Sequence, residues 1–117
     1  MGLYNFQRRF VPFILSGAKT HTIRAYRKHP DKPGNMLHLY TGLRTKQAQL
    51  LMRRPCVKVE DISISDSGDI FIDGNQLDDG EREGLARRDG FESFTDMAAF
   101  WKGRTPFHGH VIHWKGE

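Results

Sequence analysis

Apolar residues in this chain come only in short runs, such as Phe13-Ile14-Leu15 and Ala98-Ala99-Phe100-Trp101. A membrane span needs about 20 consecutive apolar residues, so the sequence predicts none. Short runs suit strands and short helices, and 117 residues are enough for one compact core. No signal-peptide pattern stands at the N-terminus. We therefore expect a single domain, residues 1–117, in the cytoplasm.

The order of the predicted elements indicates an α+β fold. Hydrophobic periodicity and turn residues predict a helix over Arg8–Ser16, ended by Gly17 in a left-handed cap, and two later helices over Asp78–Arg88 and Ser93–Lys102. A further helical turn is predicted over Ala48–Met52. Strands are predicted over Leu3–Gln7, Lys19–Arg24, Met36–Thr41, Val57–Ile64 with a bulge at Glu60-Asp61, Ile70–Ile72 and Phe107–Lys115. This order predicts a small curved sheet or barrel with helices at its ends.

Charge is distributed very unevenly along the chain. Residues 1–60 hold twelve Lys and Arg but only two acidic residues, a net charge of +10, whereas residues 61–117 carry −6. A positive face of this kind favours anions such as nucleic acid or nucleotide phosphates. The alternative is that the two halves intermix on folding and the charges only solvate the surface.

The common motifs of enzymes and metal proteins are absent from the sequence, including the P-loop, GxGxxG, GxSxG and HExxH. The lone Cys56 excludes an internal disulfide framework and a cysteine-based zinc site. Six histidines are present, but His108, His110 and His113 do not share one strand face. We expect no metal and no cofactor.

The segment Gly17–Arg24 is the most informative one for function. Alternation along a strand places Thr20, Thr22 and Arg24 on one face. Burial of these polar groups without partners is costly, so the face either meets solvent or lines a polar pocket. Lys19 has the opposite parity to Thr22, and must therefore lie in the turn before regular pleating if the two side chains are to meet.

Two further segments combine residue types found at ligand sites. The loop after the third predicted strand carries an aromatic ring, hydroxyls and cations, which suit a stacked base with its phosphate or a plain surface loop: Tyr40, Thr41, Arg44, Thr45 and Lys46. Asp89-Gly90-Phe91 links the last two predicted helices. Asp89 is either a functional carboxylate or an ordinary turn Asp before Gly.

Together these segments resemble the ASCH superfamily of small PUA-like barrels. The resemblance runs from about Phe6 to Trp114. It rests on Gly17-x-Lys19-Thr20-x-Thr22-Ile23-Arg24, Pro33-Gly34-x-x-Leu37, the Tyr40–Thr45 loop, Asp89-Gly90-Phe91 and Phe107-x-Gly109-x-Val111-Ile112-x-Trp114. It implies a mostly antiparallel barrel of about six strands with helices at its ends. It also implies a cleft that binds RNA or nucleosides. Asn35 stands where an Asp commonly follows the Gly in such proteins.

One branch of this superfamily is similar to N4-acetylcytidine amidohydrolase, whose catalytic group is a Lys, a Thr three residues later and a Glu. By position the resemblance assigns Lys19, Thr22 and, with Asp in place of Glu, Asp89 to these roles. Thr22 would attack the acyl carbon, Lys19 would accept its proton and Asp89 would orient the cytosine amino group or shuttle a proton. The implied substrate-binding residues are Thr20, Arg24, Tyr40, Arg44, Thr45 and Lys46.

Three functions remain open at this point. The first is hydrolysis of the amide in N4-acetylcytidine-like nucleosides. The second is a non-catalytic module that binds single-stranded or modified RNA, and the third is a weak, metal-independent ribonuclease. We expect a nucleoside or single-stranded RNA as the partner, with no membrane and no preference for DNA. The oligomeric state does not follow from the sequence.

Overall fold

Seven strands and three short helices make up the fold in the computed structural model, which describes residues 2–114. The strands are β1 Gly2–Phe6, β2 His21–Ala25, β3 Met36–Thr41, β4 Gln49–Ile64, β5 Ile70–Ile72, β6 Asn75–Gln76 and β7 Phe107–Trp114. A 3₁₀ turn at Arg8–Phe10 leads into α1 Val11–Ser16, and α2 Asp79–Arg88 and α3 Phe94–Trp101 lie between β6 and β7. The α+β class predicted from the sequence is confirmed. The predicted end of the last strand, Lys115, falls outside the described residues.

The strands form one curled, mixed sheet with the shape of a half-barrel. β1 and β3 pair in parallel, from Gly2 opposite Leu37 to Phe6 opposite Thr41. The other pairings are antiparallel: β3 with β4, β4 with β5 and β7, β5 with β6, and β2 with β7. β4 is 16 residues long, and its two halves pair with different neighbours, so it carries the sheet from one side of the half-barrel to the other.

Two sequence predictions about β4 are wrong. Ala48–Met52 was predicted to form a helical turn, but Gln49 begins β4, where Leu50 and Met52 pair with Tyr40 and Leu39. Pairing with a neighbouring strand outweighs the helix preference of these residues. The bulge was predicted at Glu60-Asp61, whereas the register shifts between Cys56 and Lys58 and leaves Val57 half exposed.

The helix ends follow the expected capping chemistry. Gly17 closes α1 in the left-handed conformation, with φ of 86°. Asp78 caps α2 in a capping box with Glu81, and the Ser93 hydroxyl accepts the Asp96 backbone N–H at the start of α3. Gly17 thus fixes the end of α1 and the turn that carries Lys19, while Asp78 and Ser93 fix the starts of α2 and α3.

The apolar core lies on the concave side of the sheet, under the helices. Its most deeply buried members come from strands and helices alike: Tyr4, Ile14, Leu37, Leu39, Ile62, Ile70, Met97 and Val111. No helix in residues 2–114 has both the length and the hydropathy needed to cross a bilayer.

Candidate functional site

Lys19 reaches the site from a turn that glycine makes possible. The Gly17 N–H donates to the Ile14 carbonyl at 3.2 Å, and the Lys19 N–H donates to the Phe13 carbonyl at 2.9 Å. The strand was predicted to begin at Lys19, but β2 begins at His21, so Lys19 lies in the turn before regular pleating, which is the position it needs to meet Thr22. Its side chain is directed inward and is 3% exposed.

Asp89 meets Lys19 from the far end of α2. The Lys19 ammonium donates to the Asp89 Oδ1 at 2.7 Å and to the Asp89 backbone carbonyl at 2.6 Å. Gly90, with φ of 99°, turns the chain directly after Asp89, and a Cβ at this position would lie 2.7 Å from the Phe10 ring. Only glycine therefore permits both this backbone conformation and this close approach, which together bring the carboxylate onto Lys19.

His21 is a second neighbour of the same carboxylate. Its Nε2 lies 3.2 Å from the Asp89 Oδ1, and the His21 side chain is 1% exposed. The ring is not oriented for a well-formed hydrogen bond at that distance, so the contact is mainly electrostatic. Behind His21, the ring of His113 lies 5.3 Å away, and the His113 Nε2 is 2.6 Å from the Glu60 Oε1.

The Thr22 hydroxyl is held by Arg24. The Arg24 Nε–H donates to the Thr22 Oγ1 at 3.0 Å, and its terminal NH₂ donates to the Asn5 carbonyl at 2.8 Å. The guanidinium also lies over the rings of Phe6 and Tyr4, at 5.0 and 5.2 Å from their centroids. The Thr22 oxygen thus accepts from a fixed cation, while its own proton remains available to another group.

One pocket is lined by Lys19, Thr22, Arg24 and Asp89, but not by His21. The pocket has a volume of about 180 Å³ and mixes polar groups with aromatic walls. Its polar lining residues are Asn5, Gln7, Lys19, Thr22, Arg24 and Asp89, and its apolar lining residues are Phe6, Phe10, Ile23, Phe91, Phe100 and Trp101. Lys19 and Thr22 therefore open into the same hollow, beside a guanidinium.

Burial and charge act in opposite directions on the two ends of the ion pair. Burial lowers the pKa of Lys19, Arg24 lowers it further, and the Asp89 carboxylate only partly opposes them. Burial by itself would raise the pKa of Asp89. The nearby Lys19 and His21 outweigh burial and hold the pKa of Asp89 below its usual range. The carboxylate is thus kept ionised, and the amine loses its proton more easily than an exposed lysine.

Five of the predicted binding residues do not line this pocket. Thr20 precedes β2, and its carbonyl accepts the Trp114 N–H at 2.9 Å. Tyr40 pairs with Leu50 of β4 on one side and with the exposed Asn5 of β1 on the other. The other three belong to an exposed loop: Arg44, Thr45 and Lys46.

That loop nevertheless adjoins the pocket. The Leu43 N–H donates to the Asn5 Oδ1 at 2.9 Å, and Asn5 is itself a lining residue. Within the loop, the Thr45 hydroxyl donates to the Gly42 carbonyl at 2.6 Å and accepts the Gln47 N–H at 3.1 Å. The Thr45 hydroxyl therefore stabilises the turn, while Arg44 and Lys46 remain exposed near one edge of the pocket.

Sequence reasoning did not single out His21, Asn5 or the aromatic walls. His21 alternates with Thr22 along β2 and reaches Asp89 only because α2 ends beside the strand. The aromatic walls come from β1, the turn before α1, the loop before α3 and α3 itself. No local pattern joins such distant segments. The one usable signal was Asn5, a polar residue within the otherwise mainly apolar strand β1.

A wider groove of about 410 Å³ lies between α3 and the turn that joins β4 to β5. It is lined mainly by Ile64, Phe94 and Trp101, and its charged lining residues, Asp66 and Lys102, are exposed. Between residues 2 and 114, no group of three or more His, Cys, Asp or Glu is arranged to hold a metal ion. Of these two pockets, the smaller one has the buried, interacting ionisable groups, whereas His21, Glu60 and His113 line a separate pocket of about 430 Å³ beside α2.

Comparison with protein-family models, with curated proteins and with solved structures finds no match to this chain.

Proposed function

We propose that this chain is a PUA-like domain of the ASCH superfamily that hydrolyses the amide of N4-acetylcytidine-like nucleosides. One observation carries the proposal. A single pocket is lined by the three residues that the resemblance assigns to catalysis, Lys19, Thr22 and Asp89, and the Lys19 ammonium donates a hydrogen bond to the Asp89 carboxylate. A buried, coupled acid and base beside a hydroxyl is an arrangement typical of active sites.

In this mechanism Thr22 is the nucleophile. Its Oγ attacks the acyl carbon, and the carbonyl oxygen takes up negative charge. Collapse of this intermediate breaks the bond from the acyl carbon to N4, which leaves an ester on Thr22 and frees cytidine. Water then cleaves the ester to acetate and regenerates the hydroxyl. The Arg24 guanidinium, 3.0 Å from the Thr22 oxygen, stabilises the alkoxide as the proton leaves.

Lys19 is the general base and acid. In its neutral form it accepts the Thr22 proton and then returns that proton to N4 as the amine departs. Burial favours this neutral form by lowering the pKa of Lys19. Asp89 orients the Lys19 amine through Oδ1. Within residues 2–114, Lys19 donates to this carboxylate oxygen and not to Oδ2 of Asp89. The second oxygen, Oδ2, accepts an N–H of the substrate base in this proposal.

The pocket walls suit a planar heterocycle. Phe6, Phe10, Phe91, Phe100 and Trp101 supply apolar surfaces, and the polar lining residues add hydrogen-bonding groups. A cytosine ring between these faces would present its acylated N4 towards Thr22. The ribose would then lie near Asn5, where the pocket meets the exposed loop.

The test is whether the purified protein hydrolyses N4-acetylcytidine, with the formation of cytidine monitored by ultraviolet absorbance. Thr22→Val removes the nucleophile at nearly constant shape and abolishes turnover, whereas Thr22→Ser retains it. Lys19→Met lowers kcat by about 10²-fold or more, the usual range for a general base. Circular dichroism of each variant checks that it is folded. No turnover by the wild type, or turnover that survives both changes, overturns the proposal.

The pH dependence offers a second readout. Because only neutral Lys19 accepts the proton, kcat/KM rises with pH and levels off once the amine is deprotonated. Since burial lowers the pKa of Lys19 from its ordinary 10.5, the midpoint of this rise lies below pH 10.5. A rate that falls as pH rises from 6 towards that plateau contradicts the assignment of Lys19 as the base.

A further inference from the structure

A row of polar and aromatic side chains leads from the pocket to the surface. In the pairing of β2 with β7, Thr22 lies opposite Ile112 and Arg24 opposite His110. Tyr26 follows directly after β2, and its N–H donates to the His108 carbonyl at 3.1 Å. Because alternate residues and their cross-strand partners share one face, the row continues from Thr22 through Arg24 to Tyr26.

Tyr26 is held in place although it is exposed. Its ring stacks on His108 and His110, with centroid distances of 5.1 and 5.3 Å and interplanar angles of 18° and 27°. The His108 Nε2 lies 2.7 Å from the Asp61 Oδ1, which anchors the imidazole under the tyrosine. Yet 56% of Tyr26 remains exposed. A supported but uncovered aromatic ring is suited to stack on another planar group.

The charges beside Tyr26 are mainly positive. Arg27 and Lys28 follow it and are exposed, and Arg24 precedes it on the same row. The nearby acids are already engaged, since Asp61 contacts His108 and the buried Asp31 accepts a short hydrogen bond from the Tyr4 hydroxyl. An aromatic ring flanked by cations matches a base and its phosphates in a single-stranded nucleic acid.

We propose that Tyr26 is a stacking subsite for a base of single-stranded RNA that flanks the nucleotide held in the pocket. The four residue steps from Thr22 to Tyr26 span about 13 Å along the strand, so a ligand that touches both ends extends beyond one nucleoside. This inference rests on the proposed function and narrows its substrate class from free nucleosides to nucleosides within an RNA strand. Arg27 and Lys28 then neutralise the phosphates on either side of the stacked base.

The test compares the binding of a fluorescent five-nucleotide RNA, with unmodified cytidine at its centre, to the wild type and to matched variants. Tyr26→Ala lowers affinity about tenfold, in the range for loss of one stacked base, whereas Tyr26→Phe keeps it. Phe13→Ala is the control, because Phe13 is also an exposed aromatic residue, at 41%, but lies on α1 outside the row. It leaves affinity unchanged.

The outcomes separate this inference from the proposed function. Anisotropy binding to unmodified RNA needs no turnover, so a Tyr26-dependent loss of affinity supports the subsite even if N4-acetylcytidine is not hydrolysed. Hydrolysis of the free nucleoside, together with equal RNA affinity for the wild type and Tyr26→Ala, overturns the subsite alone. Failure of the wild type to bind the RNA at low salt also overturns it.

Discussion

Two histidines of this chain each lie beside a different aspartate. The two pairs differ in burial, and we expect their contributions to stability to differ for that reason. The His21 Nε2 is 3.2 Å from Asp89, with both side chains under 10% exposed. The His108 Nε2 is closer to Asp61, at 2.7 Å, but both of those side chains are about half exposed. Attraction is stronger where water is excluded, whereas exposed pairs contribute little.

We expect His21→Leu to lower the free energy of unfolding by about 1–3 kcal/mol, because the buried Asp89 loses one of its two charged or polar neighbours. The matched change, His108→Leu, alters it by less than about 1 kcal/mol. Urea denaturation followed by fluorescence measures both. Equal losses in the two variants would contradict the view that burial, and not distance, sets the strength of these pairs.

At the scale of elements, the turn from α1 into β2 depends on the backbone of Gly17. Its φ is 86°, and a Cβ there would meet no other atom within 4 Å. Substitution therefore costs conformational energy alone. Gly80, in the first turn of α2, is the natural comparison, because its φ is not positive and a Cβ there would make only ordinary contact, at 3.6 Å from the Asp78 Oδ1.

The two glycines should respond in opposite directions to the same substitution. Gly17→Ala lowers the free energy of unfolding by about 1 kcal/mol, the cost of a left-handed residue with a Cβ. Gly80→Ala raises it by up to about 1 kcal/mol, because alanine favours the helix. Thermal or urea unfolding measures the difference. A loss at both positions would show that α2 requires Gly80 for reasons other than backbone freedom.

At the scale of the whole molecule, the basic residues of the N-terminal half differ in how far they are exposed. Of its twelve Lys and Arg residues, Lys19 is buried, Arg24 and Arg54 are partly buried, and the remaining nine are exposed. The helix α2 meanwhile carries acidic residues at Asp79, Glu81 and Glu83. The pocket cations are thus committed to hydrogen bonds, and any attraction for phosphate comes from the exposed set.

We expect salt to separate the two ligand classes. If three phosphates are neutralised, the logarithm of the association constant for a short RNA falls with log salt at a slope of about −2. The KM for N4-acetylcytidine, which carries no phosphate, stays nearly constant over the same range. Anisotropy titrations and steady-state kinetics at several salt concentrations measure both. An association constant for RNA that does not change with salt would show that the exposed cations do not bind its phosphates.

Local structure was largely readable from the sequence. The strands Met36–Thr41 and Ile70–Ile72 have the predicted bounds, and the cap at Gly17 was predicted from residue type alone. These features depend on interactions of a side chain with its own or a neighbouring backbone. The start of β4 and the bulge at Val57 were not predicted, because β3 and β7 decide them across the sheet.

The candidate site divides in the same way. Strand alternation placed Thr22 and Arg24 on one face, and Asp89 stood out as a candidate between two helices. That Lys19, Thr22 and Asp89 act together came only from the resemblance to a family. The contact of Lys19 with Asp89 joins residues 70 positions apart, and the aromatic walls reach the pocket from separate elements. Backbone preferences are local and can be read from sequence, but which buried charges meet depends on how the helices pack against the curled sheet.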